Sequence, residues 1–319
     1  MIKIFDECQG YGEITNLGTF TDATVSKRGN KWVMFGSGFE INQSDLNIFS
    51  ASLNEHENLS PSGWKITTAP GDAHSAIPIC GKSKSFSWDG PGGRHCPCYV
   101  KGFDPQKGAV VERIYYAGAA GDFMGPYTIG YLEWNGNTWE DQAKPAFTAT
   151  EDWEHGSVYE PNLIYHKGKW KMWYVAGSNA EDYLVQCYSE SEDGKSGWSK
   201  HQIVFPPEEK VFDFNVLSTP DGYEAIIARV NLKGRKDLPK TGLWWCTAKF
   251  PSSNIADWSE PEFFAGPIHW KPCLQADERE KNKRLVFCDG ITLNKSGQGM
   301  PYCYTVECLE FEKPAAKFE

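Results

Sequence analysis

Short apolar runs recur along the whole chain, and each follows a turn sequence that contains Gly, Asn or Asp. Two examples are KWVMFGSG, which begins at Lys31 after a Gly-Asn turn, and KWKMWYVAG, which begins at Lys169 after a Lys-Gly turn. Runs rich in aromatic and β-branched residues and bounded by turn formers are typical of β-strands joined in hairpins. The pattern therefore predicts an all-β fold built from many short antiparallel strands.

The strands are organised as a repeat. In three units, a leading acidic residue stands ten positions before an aromatic residue that follows the hairpin turn; these pairs are Asp22 and Trp32, Glu160 and Trp170, and Asp213 and Tyr223. Two further units begin at Cys96 and Lys271 and reach the runs RIYYAG and RLVFCDG after longer connections. Five units of one layout indicate a repeat architecture.

Each of the first four units closes with a strand and a Trp. The closing residues are Trp64, Trp139, Trp198 and Trp258. Regularly spaced hairpins also occur in sandwiches, but a shared leading position and closing Trp favour a ring of blades, which removes exposed sheet edges. We therefore predict an all-β, five-bladed β-propeller, a single domain over residues 1–319. The segment before Asp22 is expected to supply the outer strand of the last blade and so to close the ring.

Charge and hydropathy limit the partners. The net charge of −10, with scattered Lys and Arg, argues against a nucleic-acid surface, since phosphate binding needs clustered positive charge. No run of about 18 apolar residues is present, so no membrane span is predicted. The first residues, MIKIFDECQGYGE, lack the apolar core of a signal peptide. The chain is expected to be cytoplasmic, or secreted with its leader removed.

Ten cysteines would allow five disulfides, but most lie inside apolar runs such as LVQCYS and LWWCTA, where a free Cys acts as a small hydrophobe. Reduced core thiols are therefore favoured over a disulfide framework. The Cys96-Pro97-Cys98 spacing is too short for a zinc knuckle, and His95, Asp22, Glu160 and His269 show no metal-ligand spacing. No metal and no cofactor are predicted.

The leading residues carry the candidate chemistry, because the innermost strand of every propeller blade begins at the central funnel. Asp22, Cys96, Glu160, Asp213 and Lys271 should therefore converge there. Hydrolysis of a glycosidic bond needs one carboxylic acid to protonate the leaving oxygen and one carboxylate to activate water or attack directly. Like charges and partial burial would raise the pKa of one acid, so that it stays protonated near neutral pH.

These motifs resemble those of the five-bladed propeller glycosidases, the grouping around glycoside hydrolase family 43 and its invertase-like relatives. In that family an Asp base opens blade one, a pKa-tuning Asp opens blade two and a Glu acid opens blade three. The resemblance implies that Asp22 in FTDATV is the general base and that Glu160 in YEPNLIYHKGKWKMWY is the general acid. At blade two the chain has Cys96-Pro97 where the family has Asp-Pro.

The departure at Cys96 leaves three interpretations. Another acid, Asp89 or Asp213, takes the tuning role; His95 does acid-base work, since its pKa is ordinarily near neutrality; or the funnel serves a different reaction or only binding. Asp213 is retained as a third catalytic candidate.

The remaining candidates are expected to bind substrate. They lie beside leading positions or on the rim, or they carry a positive charge. Aromatic rings there would stack on a sugar face, and the cations would contact hydroxyl or carboxylate groups. These substrate-binding candidates are Trp88, Arg94, His95, Cys96, His155, Tyr159, Arg229, Trp270 and Lys271.

The leading hypothesis is a glycoside hydrolase acting on a furanoside or related small glycan, with a carbohydrate as its partner. An inverting mechanism would place the carboxyl groups of Asp22 and Glu160 about 6.5–9.5 Å apart, and a retaining one about 5 Å apart. The alternatives are a non-hydrolytic propeller, either a sugar-binding module or a different catalyst, and a glycoside phosphorylase. The phosphorylase would need Arg94, Arg229 and Lys271 to gather around phosphate.

Overall fold

A computed structural model of the chain describes residues 1–43, 45–54, 58–81, 88–90, 92–122, 125–178, 183–231, 236–266, 269–294 and 302–313. Five four-stranded antiparallel sheets form a ring, so the predicted five-bladed β-propeller is confirmed. Among the described residues, no helix has the length and apolar character needed to cross a membrane.

Each blade runs from its innermost to its outermost strand. Blade one contains β2 (Leu17–Arg28), β3 (Lys31–Glu40), β4 (Asn47–Ser52) and β5 (Lys65–Ile66). A small hairpin follows, formed by β6 (Thr68–Ala69) and β7 (Asp72–Ala76). Blade two contains β8 (Gly93–Asp104), β9 (Ala109–Asp122), β10 (Gly125–Trp134) and β11 (Trp139–Asp141).

The next two blades have the same layout. Blade three contains β12 (Val158–His166), β13 (Lys169–Ser178), β14 (Tyr183–Ser191) and β15 (Gln202–Phe205). Blade four contains β16 (Val211–Thr219), β17 (Gly222–Arg229), β18 (Gly242–Ala248) and β19 (Glu262–Ala265).

Blade five joins the two ends of the chain. It contains β20 (Trp270–Ala276), β21 (Lys283–Leu293), β22 (Tyr302–Glu312) and, as its outer strand, β1 (Ile2–Asp6). β1 pairs antiparallel with β22, with Ile2 opposite Cys308. The expected closure of the ring by the N-terminal segment is confirmed.

The core lies between the blades, where the closing Trp residues pack against aromatic residues of the neighbouring unit. Trp64 meets Phe287 of blade five edge-on at 5.8 Å, and Trp139 meets Phe35 of blade one at the same distance. Burial of a large aromatic side chain contributes on the order of 1.5–3 kcal/mol, and edge-to-face contacts add to it. The repeated Trp thus fixes the blade spacing that holds the funnel together.

A disulfide between Cys8 and Cys303 reinforces the closure, with the two Cα atoms 5.5 Å apart. Cys8 lies in a 3₁₀ turn directly after β1, and Cys303 lies on β22. The preference for reduced thiols is wrong for this pair, because the pairing of β1 with β22 brings together residues 295 positions apart. It is correct for the other eight cysteines, which are free.

Reduction of this disulfide should destabilise the fold, because it releases the N-terminal strand from blade five. We expect the Cys8→Ser, Cys303→Ser double variant to lose roughly 2–5 kcal/mol in its free energy of unfolding. Denaturant unfolding with and without a thiol reductant measures this. The reductant should lower the midpoint of the wild-type protein and leave that of the double variant unchanged; equal midpoints throughout would contradict the expectation.

Candidate active site

Four of the five leading residues share an uncommon backbone conformation. Asp22, Cys96, Glu160 and Lys271 have φ angles of 53°, 53°, 51° and 46°. Each lies at a register shift in the innermost strand of its blade. A left-handed φ at a residue other than Gly costs on the order of 1–3 kcal/mol and occurs most often at functional sites. The common bulge orients these four positions in the same way, although they are far apart in sequence.

Glu160 is at the centre of the resulting cluster. Its Oε1 accepts a hydrogen bond from the Cys96 thiol at 2.8 Å, and its Oε2 forms an ion pair with Lys271 Nζ at 3.0 Å. All three side chains are buried, between 3% and 4% exposed as residues. The position that departs from the family pattern, Cys96, therefore contacts the expected acid directly.

The cluster also sets the protonation of Glu160. Burial raises the pKa of this carboxyl group, the cation of Lys271 lowers it, and the nearby charge of Asp22 raises it; the net direction is upward. Burial alone would lower the pKa of Lys271, but Glu160 and Asp213 outweigh this and raise it. Glu160 is thus a carboxyl group poised for proton transfer beside a permanent cation.

Asp22 faces the same cluster and is the more accessible of the two acids, being only partly buried. One of its carboxylate oxygens lies within 4.8 Å of the Cys96 Sγ and of a ring nitrogen of His95. Because the same Sγ is 2.8 Å from Glu160 Oε1, the carboxyl oxygens of Asp22 and Glu160 are at most about 7.6 Å apart. This upper limit admits the separation of retaining glycosidases and the lower part of the range of inverting ones, so it is compatible with both acids flanking one glycosidic bond.

Asp289, within β21 of blade five, holds the backbone of Asp22. Its Oδ2 accepts the backbone N–H of Asp22 at 2.7 Å and the hydroxyl of Thr21 at 2.5 Å. Burial and the nearby charge of Asp22 raise the pKa of Asp289 well above its usual range, which favours the neutral form of this carboxyl group. The neutral form holds the backbone of the base without adding a negative charge beside it.

The neutrality of Asp289 can be tested with an isosteric pair of variants. Asp289→Asn keeps the size and the acceptor oxygen, so we expect its kcat/KM on a turned-over glycoside to stay within several-fold of wild type. Asp289→Ala removes the acceptor for the Asp22 N–H and should lose at least about ten-fold, since a buried donor left unpaired costs about 1–3 kcal/mol. Equal losses in both variants would show that the negative charge at this position is required.

Asp213 contacts the same cluster but is more deeply buried than Glu160. It is fully buried, and its Oδ2 accepts the backbone N–H of Lys271 at 2.8 Å. Its strand has the register shift one position earlier, between Val211 and Asp213, and it lacks the left-handed φ of the other leading residues. Burial and the charge of Glu160 raise the pKa of Asp213 well above its usual range. Its contacts are those of a residue that positions Lys271.

Aromatic rings line one side of the cluster. His95 packs edge-on against Tyr127 at 4.8 Å, and Tyr127 lies 5.0 Å from Tyr159. Burial lowers the pKa of His95 to about 4 against the raising effect of Asp22, so its imidazole is neutral near pH 7. Trp270, which precedes Lys271, packs edge-on to Tyr304 at 6.1 Å. A ring nitrogen of His95 lies within 4.8 Å of a carboxylate oxygen of Asp22, and Tyr159 directly precedes Glu160. The role of these three residues in substrate binding stays a prediction.

Arg94 and Trp88 are directed into blade two. Arg94 is buried in ion pairs with Asp89 at 3.0 Å and Asp141 at 2.7 Å. Trp88 packs over two glycines, Gly118 and Gly130, where an added Cβ would lie 2.6 Å and 2.1 Å from its ring. These contacts assign structural roles to both residues, and Asp89 is likewise committed to Arg94 and to the hydroxyl of Tyr116, at 2.9 Å.

Two further substrate-binding candidates, Arg229 and His155, also have partners outside the cluster, as does His269. Arg229 pairs with Glu209 at 2.8 Å and lies over the ring of Trp244. His155 is exposed and stacks on Tyr183 at 4.5 Å, in agreement with a rim position. His269 contacts Glu307 at 3.2 Å.

Two further residues contact leading residues of the cluster, and a feature of the repeat marks their positions in the sequence. Ser37 Oγ accepts the backbone N–H of Cys96 at 2.9 Å, just as Asp289 accepts that of Asp22. Both lie where the second strand of a blade reaches the funnel, in FGSG and VFCDG. A polar residue followed by Gly in the second strand of a blade therefore marks a side chain that holds the leading residue of the next blade.

No protein-family model and no curated protein sequence matches the chain. Solved structures do. One described as a glycoside hydrolase is 15% identical, with a TM-score of 0.62 over 100% of this chain and 95% of that one. The α-L-arabinofuranosidase PaAbf62A from Podospora anserina, in complex with cellotriose, is 12% identical, with a TM-score of 0.57 over 97% and 95%. Zg3597, a family 117 glycoside hydrolase from Zobellia galactanivorans, is 14% identical, with a TM-score of 0.60 over 96% and 88%.

These likenesses extend over nearly the full length of this chain and of the solved structures, and all are below 25% identity. They establish that the chain has the fold of propeller glycosidases, so the resemblance noted in the sequence is confirmed at the level of the fold. The chemistry of the funnel has to be argued from its own residues.

Proposed function

We propose that this protein is a glycoside hydrolase that cleaves a furanoside or related small glycan by acid/base catalysis between Glu160 and Asp22. One observation carries the proposal: a buried carboxyl group with a raised pKa lies within about 7.6 Å of a more accessible carboxylate at the mouth of one funnel. Two carboxyl groups in different environments are the arrangement that glycosidic hydrolysis needs.

Glu160 acts as the general acid. Its raised pKa favours the protonated form, and the proton passes to the glycosidic oxygen as the bond to the sugar breaks. The resulting carboxylate is stabilised by Lys271 at 3.0 Å and by the Cys96 thiol at 2.8 Å. Both contacts strengthen as negative charge develops on Glu160, so they favour the proton transfer.

Asp22 acts on the opposite side of the sugar carbon. Its partial exposure lets it accept a proton from an incoming water or attack the carbon directly. The hydrogen bond from the backbone N–H of Asp22 to Asp289 fixes the position of Asp22, and the raised pKa of Asp289 favours its neutral form. The Asp22 carboxylate would stabilise the partial positive charge that develops on the sugar ring.

Cys96 stands where the related enzymes have the pKa-tuning Asp. A second carboxylate there would raise the pKa of Glu160, whereas a thiol that donates a hydrogen bond lowers it. In this chain the upward shift comes from burial first and from the charge of Asp22. Burial and Asp22 therefore take over the raising effect of the missing Asp, while Cys96 and Lys271 oppose it.

Removal of the Lys271 cation should shift the dependence of kcat/KM on pH. We expect Lys271→Met to raise the pKa of Glu160, because the charge that lowers it is lost while burial remains. Hydrolysis needs protonated Glu160 and fails as the pH rises through this pKa, so the alkaline limb of kcat/KM should shift to higher pH. Lys171→Met, which removes an outer ion pair with Glu190, is the matched control and should leave the limb in place.

The phosphorylase alternative is not supported by the cation geometry. Arg94 and Arg229 are held in ion pairs with Asp89 and Glu209, and only Lys271 of the three lies beside Glu160. Phosphate therefore has one cation at the funnel where three were expected. Turnover that depends on added phosphate would revive this alternative.

The proposal is tested with aryl α- and β-furanosides and pyranosides of pentoses and hexoses. Because PaAbf62A is described as an α-L-arabinofuranosidase, aryl arabinofuranosides are the first substrates to examine. Release of the aryl group in phosphate-free buffer, with appearance of the free sugar, supports the hydrolase. Sugar binding in calorimetry with no turnover of any substrate would instead assign a binding module.

A further inference from the structure

Three metal-binding donor types converge at the mouth of the funnel. A carboxylate oxygen of Asp22, a ring nitrogen of His95 and the Sγ of Cys96 all lie within 4.8 Å of one another. Two come from consecutive residues of β8 and the third from β2 of the preceding blade. No spacing motif for a metal site is visible in the sequence, because this group is assembled by the ring and not by a local stretch of chain.

His95 supplies the second observation. It is 8% exposed, and its Nε2 is buried without a hydrogen-bond partner among the described residues. The Nδ1 makes only a long contact of 3.7 Å with the Cys96 Sγ. A buried imidazole nitrogen is ordinarily hydrogen-bonded. The His95 ring, beside the Cys96 thiol and Asp22, thus has a donor atom that no described residue uses.

The donor set distinguishes among metals. Thiolate and imidazole ligands suit Zn²⁺ and similar borderline ions, whereas Ca²⁺ and Mg²⁺ take oxygen ligands almost exclusively. Bonds to zinc are about 2.0–2.3 Å long, so donors around one tetrahedral ion lie roughly 3.3–3.8 Å apart. The observed upper limit of 4.8 Å requires side-chain shifts of about an ångström. The fourth position is left for water or for Glu160 Oε1, which is 2.8 Å from the Sγ.

We propose that Asp22, His95 and Cys96 form a binding site for a thiolate-seeking divalent cation of the Zn²⁺ class. On binding, the Cys96 S–H bond breaks, its proton leaves to solvent, and the sulfur forms a bond to the ion. No oxidant or reductant is involved. The thiol hydrogen bond to Glu160 is lost in the same step. If the proposed hydrolase function holds, a bound ion also occupies the carboxylate of Asp22, and zinc is then a reversible inhibitor.

The site is tested by binding, without any substrate. Metal-free, tag-free full-length protein is titrated with Co²⁺, whose bond to a thiolate produces a charge-transfer absorption in the near ultraviolet. We expect this band at one equivalent per chain and its loss when Zn²⁺ displaces Co²⁺. Cys96→Ala should abolish the band and weaken Zn²⁺ binding at least ten-fold, and His95→Phe should also weaken binding. Cys246→Ala, which removes a buried thiol from blade four, should retain both.

Absence of the charge-transfer band in the wild-type protein, or its persistence in Cys96→Ala, would overturn the site. Binding of Ca²⁺ as tight as that of Zn²⁺ would overturn it as well, because an oxygen-only site would then be responsible. These readouts do not depend on hydrolysis. Failure of the metal site and failure of the hydrolase are therefore separate outcomes, the first seen in the titration and the second in the aryl glycoside assays.

Discussion

Glu160→Gln should lower kcat/KM for a glycoside with a poor leaving group by about 10²–10⁴-fold, the usual contribution of a general acid. The amide has nearly the shape of the carboxyl group and keeps an oxygen for the Cys96 thiol, but it has no acidic proton to give. An aryl glycoside with a very good leaving group needs little protonation. The loss on that substrate should therefore be much smaller, and the difference between the two substrates is the signature of an acid.

Two controls accompany this variant. Glu190→Gln changes an outer ion pair with Lys171 on blade three and should leave both substrates unaffected. Thermal unfolding of Glu160→Gln establishes that it is folded, because Lys271 loses its charged partner in this variant. An equal loss on good and poor leaving groups, in a folded protein, would remove Glu160 from the acid role.

Asp22→Asn should lose a similar factor, about 10²–10⁴-fold, on every glycoside whatever its leaving group, because the water or the sugar carbon then has no carboxylate to act on it. Azide needs no deprotonation to attack. Added azide should therefore restore release of the aryl group in this variant and yield a glycosyl azide. The anomeric configuration of the azide, compared with that of the wild-type sugar product, reports whether Asp22 serves as base or nucleophile.

Asp6→Asn is the matched control for this change, since Asp6 is also a buried Asp of the ring closure but caps the 3₁₀ turn at Cys8 through a hydrogen bond at 3.0 Å. It should reduce stability and leave kcat/KM unchanged in the folded protein. Full activity of Asp22→Asn without azide would contradict the assignment of Asp22.

The fold was predictable because its signal is repeated and local. A leading residue and a hairpin turn recur five times and a closing Trp recurs four times, and each can be read within one stretch of chain. The closure by β1 followed from the same repeat, since blade five would otherwise lack an outer strand. The convergence of Asp22, Glu160 and Lys271 then followed from propeller geometry alone.

The direction of individual side chains was less predictable. Positions two apart in a regular strand share a face, but the register shift between His95 and Cys98 breaks this alternation, so Arg94 turns into blade two although Cys96 faces the funnel. Its partners, Asp89 and Asp141, lie outside β8, and no sequence motif identifies them as partners of Arg94. The depth of Asp213 depends on a register shift one position earlier than in the other blades.

The disulfide was also not predictable from local sequence patterns. Most cysteines lie in apolar strands and are free, so composition favoured thiols, while Cys8 and Cys303 meet only because the ring closes. Contacts that exist through ring closure, including the Asp22, His95 and Cys96 group, can be found only once the blades are assembled.

The most direct test of the central claim is a crystal structure of Glu160→Gln bound to an intact glycoside that the wild-type protein cleaves. We predict that the glycosidic oxygen lies within about 3.2 Å of the side chain at position 160, with the carboxylate of Asp22 directed at the anomeric carbon from the other side. A glycoside bound on the rim, or in the funnel with neither group near the glycosidic bond, would contradict the account.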